Sequence, residues 1–363
     1  MKKKLYWQTT YGTIEVEEQI LKDKISQKRV RPFSQVAEVV CRGYSLPVQR
    51  AMTDFGSDDS FCDAAKKMKE HYGIDISTTA TQRITELHAE MIHSEEELEH
   101  QRRMMQQKQV ADIIVSEIDG SMLPIVEIVL PADKTAKELD LRKYRTLQYK
   151  EARLALSHQK DSVTPVYAAT MGDVNEAGKQ LRFSAESVGF GEKTKVHGVG
   201  DGAVWIASQF EEQFGSQSTY LIDFYHLCEY LSEASKGIPT DSKIWIEQQK
   251  TFLKNSQSEQ VLAALKPYLE ALHIPDEKAP VRACYRYIDN RPGQFFYKEA
   301  LEKGLPIGSG EVESEHRYIS QERLKLAGAW WKITNAANML SLRVLRANNH
   351  WESYWNKNRS KAA

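Results

Sequence analysis

The sequence has no surplus of either charge: 49 Lys and Arg stand against 50 Asp and Glu, a net of -1 over 363 residues. That removes the bulk basicity that advertises many nucleic-acid binders, so any such role must come from local patches. No apolar run approaches the ~20 residues that a membrane helix needs, and a soluble protein is expected. Met1 to Lys4 has the charge of a signal peptide, but Leu5 to Tyr11 is polar and aromatic where an apolar stretch should follow, so cytoplasmic residence is expected. The four cysteines, Cys41, Cys62, Cys228 and Cys284, are too widely spaced for a Cys-x-x-Cys knuckle and read as reduced core residues. Hydrophobic residues at 41% and charged residues at 27% exclude a disordered tail, and the length suits two or three units.

What is present is unevenly spread. Residues 316–363 carry nine Lys or Arg and only two acids, Glu322 and Glu352, a local +7 with Trp330, Trp331, Trp351 and Trp355 interleaved. Such a segment either faces a polyanion or is a solvated helix face. Residues 5–20 alternate aromatic or β-branched with polar residues around Gly12, the pattern of a short hairpin. From Ser60 onward two helices are predicted, separated by Gly73, with Ala64, Ala65 and Met68 inward on the first and Ala80, Ile84 and Leu87 inward on the second. This is helix-turn-helix grammar over 60–88, with Ser77, Thr78 and Thr79 where a recognition helix would meet DNA; a plain packing unit would look nearly the same. Glu86 to Lys108 continues as a charged connector helix and marks a boundary. Beyond it come strand-like runs, DIIVSEIDGSMLPIVEIVL, LQYKEARLALSH and TPVYAATM, then KVHGVG and STYLI around a helix, which predicts a mixed α/β layer. Residues 228–300 read mostly as helix.

Three acids close apolar runs: Asp119 after Ile113–Ile118, Asp201 after KVHGVG, and Asp223 after TYLI. Ligand and catalytic groups gather at strand ends in α/β sheets, so these acids can converge, although each Asp-Gly pair alone is an ordinary turn signal. A fourth candidate follows the turn LPIGSG, where Gly308 and Gly310 allow a sharp bend and Ser309 can cap a helix bearing Glu311 and Glu313. These two point roughly 200° apart, so only one can face a site shared with the aspartates. Close carboxylates call for a hard divalent cation, and a pair of such ions activates water or a 3′ hydroxyl for in-line attack at phosphorus.

In IDGSMLP at 118–124, VGDGAVWI at 199–206, IDFYHLCEYL at 222–231, and GLPIGSGEVES followed by RLKLAGAWW at 304–331, the sequence resembles ISKra-type bacterial insertion-sequence transposases with an Asp-Asp-Glu centre, and more loosely Mutator-like transposases. The resemblance runs from about 112 to 355. It implies an RNase H-like mixed α/β sheet with a helical insertion, preceded by the small β-hairpin and helix-turn-helix region. The implied layout is an N-terminal DNA-binding region at 1–108, the first part of the catalytic core at 109–227, the insertion at 228–303, and the Glu-bearing helix with a basic tail at 304–363. Asp119, Asp201 and Glu313 become the expected catalytic residues and the ligands of Mg²⁺ or Mn²⁺. The separations are 82 and 112 residues, and the longer second gap is what an insertion would give. Asp223 and His226 match an Asp-x-x-His motif, Asp223 as a supporting residue and His226 as a phosphate contact; Arg317 and Arg323 are further candidates for DNA phosphate. His197 is expected to be structural and Trp205 core, while Trp330 and Trp331 could pack or stack on a base. The expected partners are double-stranded DNA, both element terminal repeats and target, and further copies of the chain in a synaptic complex, which makes the cytoplasmic location nucleoid-associated. Other readings are a catalytically inactive DNA-binding regulator and a stand-alone RNase H-like nuclease. Related transposases often carry a longer N-terminal region with cysteine pairs, so a shorter member, a truncated copy or a late start site is expected here.

Overall fold

The computed structural model describes residues 2–25, 27–37, 43–104, 110–129 and 140–360. Cys41, connector residues 105–108, Leu130 and tail residues 361–363, all part of the expectations above, lie outside these. The chain is mixed α/β and separates into two units, the first formed by residues 1–102, 121–152 and 316–363 and the second by 103–120 and 153–315.

In the first unit, alternating residues form β1 (Lys2–Thr9) and β2 (Gly12–Gln19), paired antiparallel from Lys2↔Gln19 to Thr9↔Gly12. Two short strands, β3 (Leu21–Lys22) and β4 (Arg29–Val30), precede helix α1 (Pro32–Val36). Helices α2 (Leu46–Asp58), α3 (Phe61–Tyr72) and α4 (Thr78–Met104) follow. The Ser60 hydroxyl accepts the Asp63 N–H at 3.1 Å to start α3, and Gly73, left-handed at φ 67°, stops it. Ser77 accepts the Ala80 N–H at 3.2 Å at the start of α4. Val48, Met52, Met68, Ile74, Ile76 and Ile84 pack into one core. Ala64, Ala65 and Met68 are buried as the helical spacing predicts, whereas Leu87 is only half-buried. Cys62 is exposed, which corrects the expectation of a core cysteine: it falls on the outer face of α3.

A five-stranded sheet lies mainly in the second unit, with residues 121–128 of β5 and 145–152 of β6 falling in the first. In chain order its strands are β5 (Ile113–Ile128), β6 (Arg145–Gln159), β7 (Val166–Thr170), β8 (Lys195–Gly200) and β9 (Ser218–Ile222), and in space they run β7-β6-β5-β8-β9. β5 pairs parallel with β8, and β8 parallel with β9, while β6 and β7 are antiparallel. Bonds from Lys160 N to Ile113 O and from Val129 N to Tyr144 O join opposite ends of β5 and β6, so that pair is antiparallel too. One sheet face carries Ile118, Ala155 and Val196 against α5 (Val174–Ser187) and α6 (Val204–Phe214). On the other face Val115 and Leu221 join helices α7 (Phe224–Ser235), α8 (Ser242–Lys254), α9 (Ser258–Leu265), α10 (Pro280–Asp289) and α11 (Tyr297–Glu302) in a second core, which Ile222 at the end of β9 also enters. These five helices occupy the stretch the sequence reads as helical. The unit ends with α12 (Gly310–Glu315), which runs directly into a π-helical turn at His316–Gln321.

The first unit is completed by α13 (Glu322–Leu324), α14 (Ile333–Ala347) and α15 (Trp351–Ser360). Much of the C-terminal positive charge is consumed there. Arg343, 2% exposed, donates to Ser57 O and Asp58, Arg346 pairs with Asp54 and Asp58, and Lys357 pairs with Glu95. The i, i+3 spacing on α14 meets the i, i+4 acids of α2, so the +7 is in part an internal clamp. Trp331 is buried and Trp330 is 59% exposed, stacked beneath Arg145 at 5.0 Å. Among the described residues no helix is long and apolar enough to cross a membrane.

His88 on α4 sets a pH dependence for this unit. Its ring is 2% exposed, between Tyr354 Oη at 2.7 Å and Gln49 Oε1 at 3.0 Å, and burial pushes its pKa down to about 4. Between pH 6.5 and about 4 the unfolded chain takes up a proton that the folded chain refuses, so stability is complete above 6.5 and falls as pH drops. The gap corresponds to roughly 3 kcal/mol. Urea unfolding across that window is expected to show a steeper acid loss for the wild type than for His88→Gln; parallel curves would contradict this.

Candidate active site

Two acids sit at the carboxyl ends of adjacent parallel strands of the second unit, while the third, Asp119, lies within β5, which corrects the expectation that it closes a strand. Asp119 lies two residues beyond the last pair joining β5 to β8, Asp201 directly follows β8, and Asp223 directly follows β9. Such strand ends are where α/β sheets collect ligands and reactive groups, because the loops there diverge and leave the side chains accessible. Asp119 and Asp201 are half-buried, and Asp223 is 3% exposed.

The corner at Asp201 is tightly held. Its Oδ1 accepts the Ala203 N–H at 2.8 Å, its carbonyl accepts the Tyr287 hydroxyl at 2.5 Å, and Arg291 Nε donates to the Gly202 carbonyl at 2.8 Å. Gly202 has φ +84°, and a Cβ there would meet the Tyr287 hydroxyl, so both backbone and space require glycine. Tyr287 stacks on Tyr230 at 4.2 Å and carries Arg291 at 4.1 Å on its ring. α10 thus braces the second acid.

Asp223 works as a staple. One oxygen accepts the N–H groups of Tyr225 and His226 at 2.6 and 2.9 Å and so caps α7. The other accepts both the N–H and the hydroxyl of Ser309 at 2.6 Å, which ties down the turn before α12. Gly308 and Gly310 do not adopt positive φ, contrary to the sharp-bend expectation; Gly308 is needed because the Tyr225 ring lies where its Cβ would be. Ser309 likewise serves as a donor to Asp223 rather than as a side-chain cap.

With the turn fixed, α12 presents its two acids in different directions. Glu313 lies 3.5 Å from Ser309 Oγ, and partial burial together with the charges of Asp223 and Asp119 raises its pKa from the ordinary value. Glu311 instead reaches His158 Nε2 at 3.3 Å, and that contact raises the pKa of His158. Glu315, one turn on, bonds the Tyr167 hydroxyl. Sequence reasoning missed Glu117, 1% exposed on β5, whose Oε2 accepts the Val312 N–H at 2.9 Å; burial pushes its pKa up to about 8. The available signal was an acid inside an apolar run, two residues before Asp119 and therefore on the same strand face.

His226 is half-buried, edge-on to Tyr230 and Tyr287, with Glu229 at 3.8 Å. His197 Nε2 donates to the Pro306 carbonyl, 2.8 Å away, and is structural in that sense; Trp205 is partly buried against the sheet core. Arg317 and Arg323 belong to the first unit. The Arg317 side chain is 80% exposed, 3.6 Å from Glu322. Arg323 corrects the expectation of a phosphate contact: it is 2% exposed, donates to Gly56 O at 3.0 Å, and lies between the Phe61 and Trp331 rings at 4.6 and 4.8 Å. Burial against two aromatic faces withdraws it from any polyanion.

Among the described residues, no three His, Cys, Asp or Glu side chains stand in an arrangement that holds a metal ion. Asp119 Oδ1 is turned to its own Gly120 N–H at 2.6 Å and Asp201 Oδ1 to Ala203, so each acid spends one oxygen on its local turn. The donor chemistry nevertheless fits Mg²⁺ or Mn²⁺. The oxygens are hard, Mg²⁺ is commonly held by one or two carboxylates with water completing its shell, and Glu313 sits among negative charges that a cation would offset. Residues 45–358 match the model of an uncharacterised protein family, UPF0236. No curated protein matches the chain.

The staple makes a direct stability test. Asp223→Asn puts an amide N–H₂ against donors on one side or the other, and a loss of roughly 2–4 kcal/mol is expected, against roughly 1–2 kcal/mol for Ser309→Ala. Denaturant unfolding reads both; equal stability of the two variants and wild type would contradict the arrangement.

Proposed function

The chain belongs to the family UPF0236, and we propose that it is an Asp-Asp-Glu DNA transposase with an RNase H-like core in its second unit. The observation that carries the reading is Asp119 just past the last β5–β8 pair, with Asp201 and Asp223 directly following the neighbouring parallel strands β8 and β9, and Glu313 within the electrostatic reach of Asp223 and Asp119. The strand order β7-β6-β5-β8-β9, with β6 reversed, and the helices between β9 and α12 support the same reading, as does its agreement with the motif order.

In this account Asp119, Asp201 and Glu313 hold the cations. Mg²⁺ or Mn²⁺ bound there would supply charge stabilisation at phosphorus and lower the pKa of water or of a 3′ hydroxyl. Asp223 orients the turn that carries Glu313 and leaves ligation to the other acids, since its oxygens already accept four hydrogen bonds. His226, fixed through its backbone N–H by Asp223, contacts the scissile-strand phosphate, and the exposed Arg317 contributes a further phosphate contact. In the first unit the exposed Ser77, Thr78 and Thr79 at the start of α4 offer short hydroxyl donors for duplex recognition. The substrates are the element's terminal repeats and target DNA. Two DNA ends require at least two copies of the chain in a synaptic complex.

The test is Mg²⁺-dependent nicking and joining on a plasmid bearing the DNA ends that flank the gene. Asp119→Asn, Asp201→Asn and Glu313→Gln are each expected to lower nicking by about 100-fold or more, the scale of losing one charge-stabilising group, with DNA affinity retained. Nicks without joined strands would favour a nuclease, and no nicks in wild type a DNA-binding regulator. Full cutting by the Asp201 or Glu313 variant would overturn the site assignment.

A further inference from the structure

The first turn of α12 is anchored at two points. Asp223 takes the Ser309 N–H and hydroxyl; three residues later Glu117 takes the Val312 N–H at 2.9 Å. The second anchor spans 195 residues of sequence and joins two positions that are each next to a site acid. Glu117 lies two residues before Asp119 on the same face of β5, and Val312 immediately precedes Glu313. The Val312 N–H is one of the orphan donors that every helix start leaves, and Val312 is fully buried, so solvent cannot supply the missing acceptor. Side chains from α12 itself do not fill the role: Glu311 reaches out to His158 and Glu315 to Tyr167.

We propose that Glu117 is a positioning residue that sets the register of α12 on β5 and thereby holds Glu313 at working distance from Asp119. The proposal rests on the reading of Asp119 and Glu313 as site acids and adds to it a residue that touches neither substrate nor cation. A buried carboxyl in an apolar strand is costly unless hydrogen-bonded, and a leucine would pack there at less cost. Its place is explained by the one bond it makes to the helix. A helix freed at this point shifts by a fraction of its pitch, and displacement of a reacting group by about 1 Å lowers turnover by up to about 100-fold without altering substrate binding.

Two variants of Glu117 and one of Val312 test this in the full-length chain. Glu117→Gln keeps an acceptor oxygen, Glu117→Leu removes it, and Val312→Pro removes the donor at a first-turn position where proline is tolerated. Hydrogen–deuterium exchange of the 308–316 segment, followed by mass spectrometry, reads the anchor independently of any reaction. The steady-state split reads its consequence. Expected are wild-type exchange and turnover for Glu117→Gln, and for Glu117→Leu faster exchange with kcat down by about tenfold or more while KM for DNA stays level. Val312→Pro should reproduce the kcat loss, and the double variant should lose no more than either alone. Unchanged exchange and kcat in Glu117→Leu would overturn the proposal, as would equal losses in the Leu and Gln variants. Should Glu117→Leu fail to fold, Val312→Pro with wild-type turnover would overturn it and a matching kcat loss would support it. If wild type itself does not cut DNA, the transposase reading falls, and exchange alone decides the anchor: protection lost only in Glu117→Leu supports it, protection kept overturns it.

Discussion

The site depends on the saturation of the Asp223 carboxylate. Four hydrogen bonds, two from the start of α7 and two from Ser309, bind the end of β9 to the turn that launches α12. Charge-assisted bonds of this kind are roughly twice as strong as neutral ones, and breaking one side leaves a buried charge uncompensated. The staple holds Ser309 directly, and the bond from Val312 N–H to Glu117 on β5 holds the first turn of α12 that follows. The acids therefore divide their labour by burial. Asp223 and Glu117 are buried and consumed by backbone donors, whereas Asp119, Asp201 and Glu313 are half-buried or exposed. In the proposed reading the accessible set would carry the chemistry and the buried one the geometry.

The candidate acids were legible in the sequence because each follows an apolar run that ends abruptly. An apolar run that ends in an acid is a local signal: it marked the ends of β8 and β9 at Asp201 and Asp223, whereas β5 continues through Asp119 to Ile128. The choice between Glu311 and Glu313 was not legible from spacing, which says only that they diverge. It took His158 on β6 and Ser309 beside Asp223 to show which way each one points. Glu117 was missed because its partner is a backbone N–H 195 residues away, and no local pattern encodes a bond of that range. The bracing of Asp201 by Tyr287 and Arg291 was hidden for the same reason.

The C-terminal charge shows the opposite failure. A run of cations reads as a surface for a polyanion, but sequence charge does not reveal which partners lie opposite in space. Asp54 and Asp58 on α2 take Arg346 and Arg343, and two aromatic rings take Arg323. Trp330 and Trp331 are adjacent yet opposite in exposure, since Trp331 bridges to Ile125 in extended backbone, where successive side chains point to opposite sides. Arg317, on the π-helical turn, remains exposed beside Glu322.

The central claim, that Asp119, Asp201 and Glu313 serve a common cation, is tested most directly by Mn²⁺ titration of the DNA-free protein, read by calorimetry or electron paramagnetic resonance. Wild type is expected to bind Mn²⁺, and Asp119→Asn, Asp201→Asn and Glu313→Gln each to weaken that binding by about tenfold or more, the loss expected when one of a few ligating charges is removed. Undiminished Mn²⁺ affinity in all three variants would contradict the account.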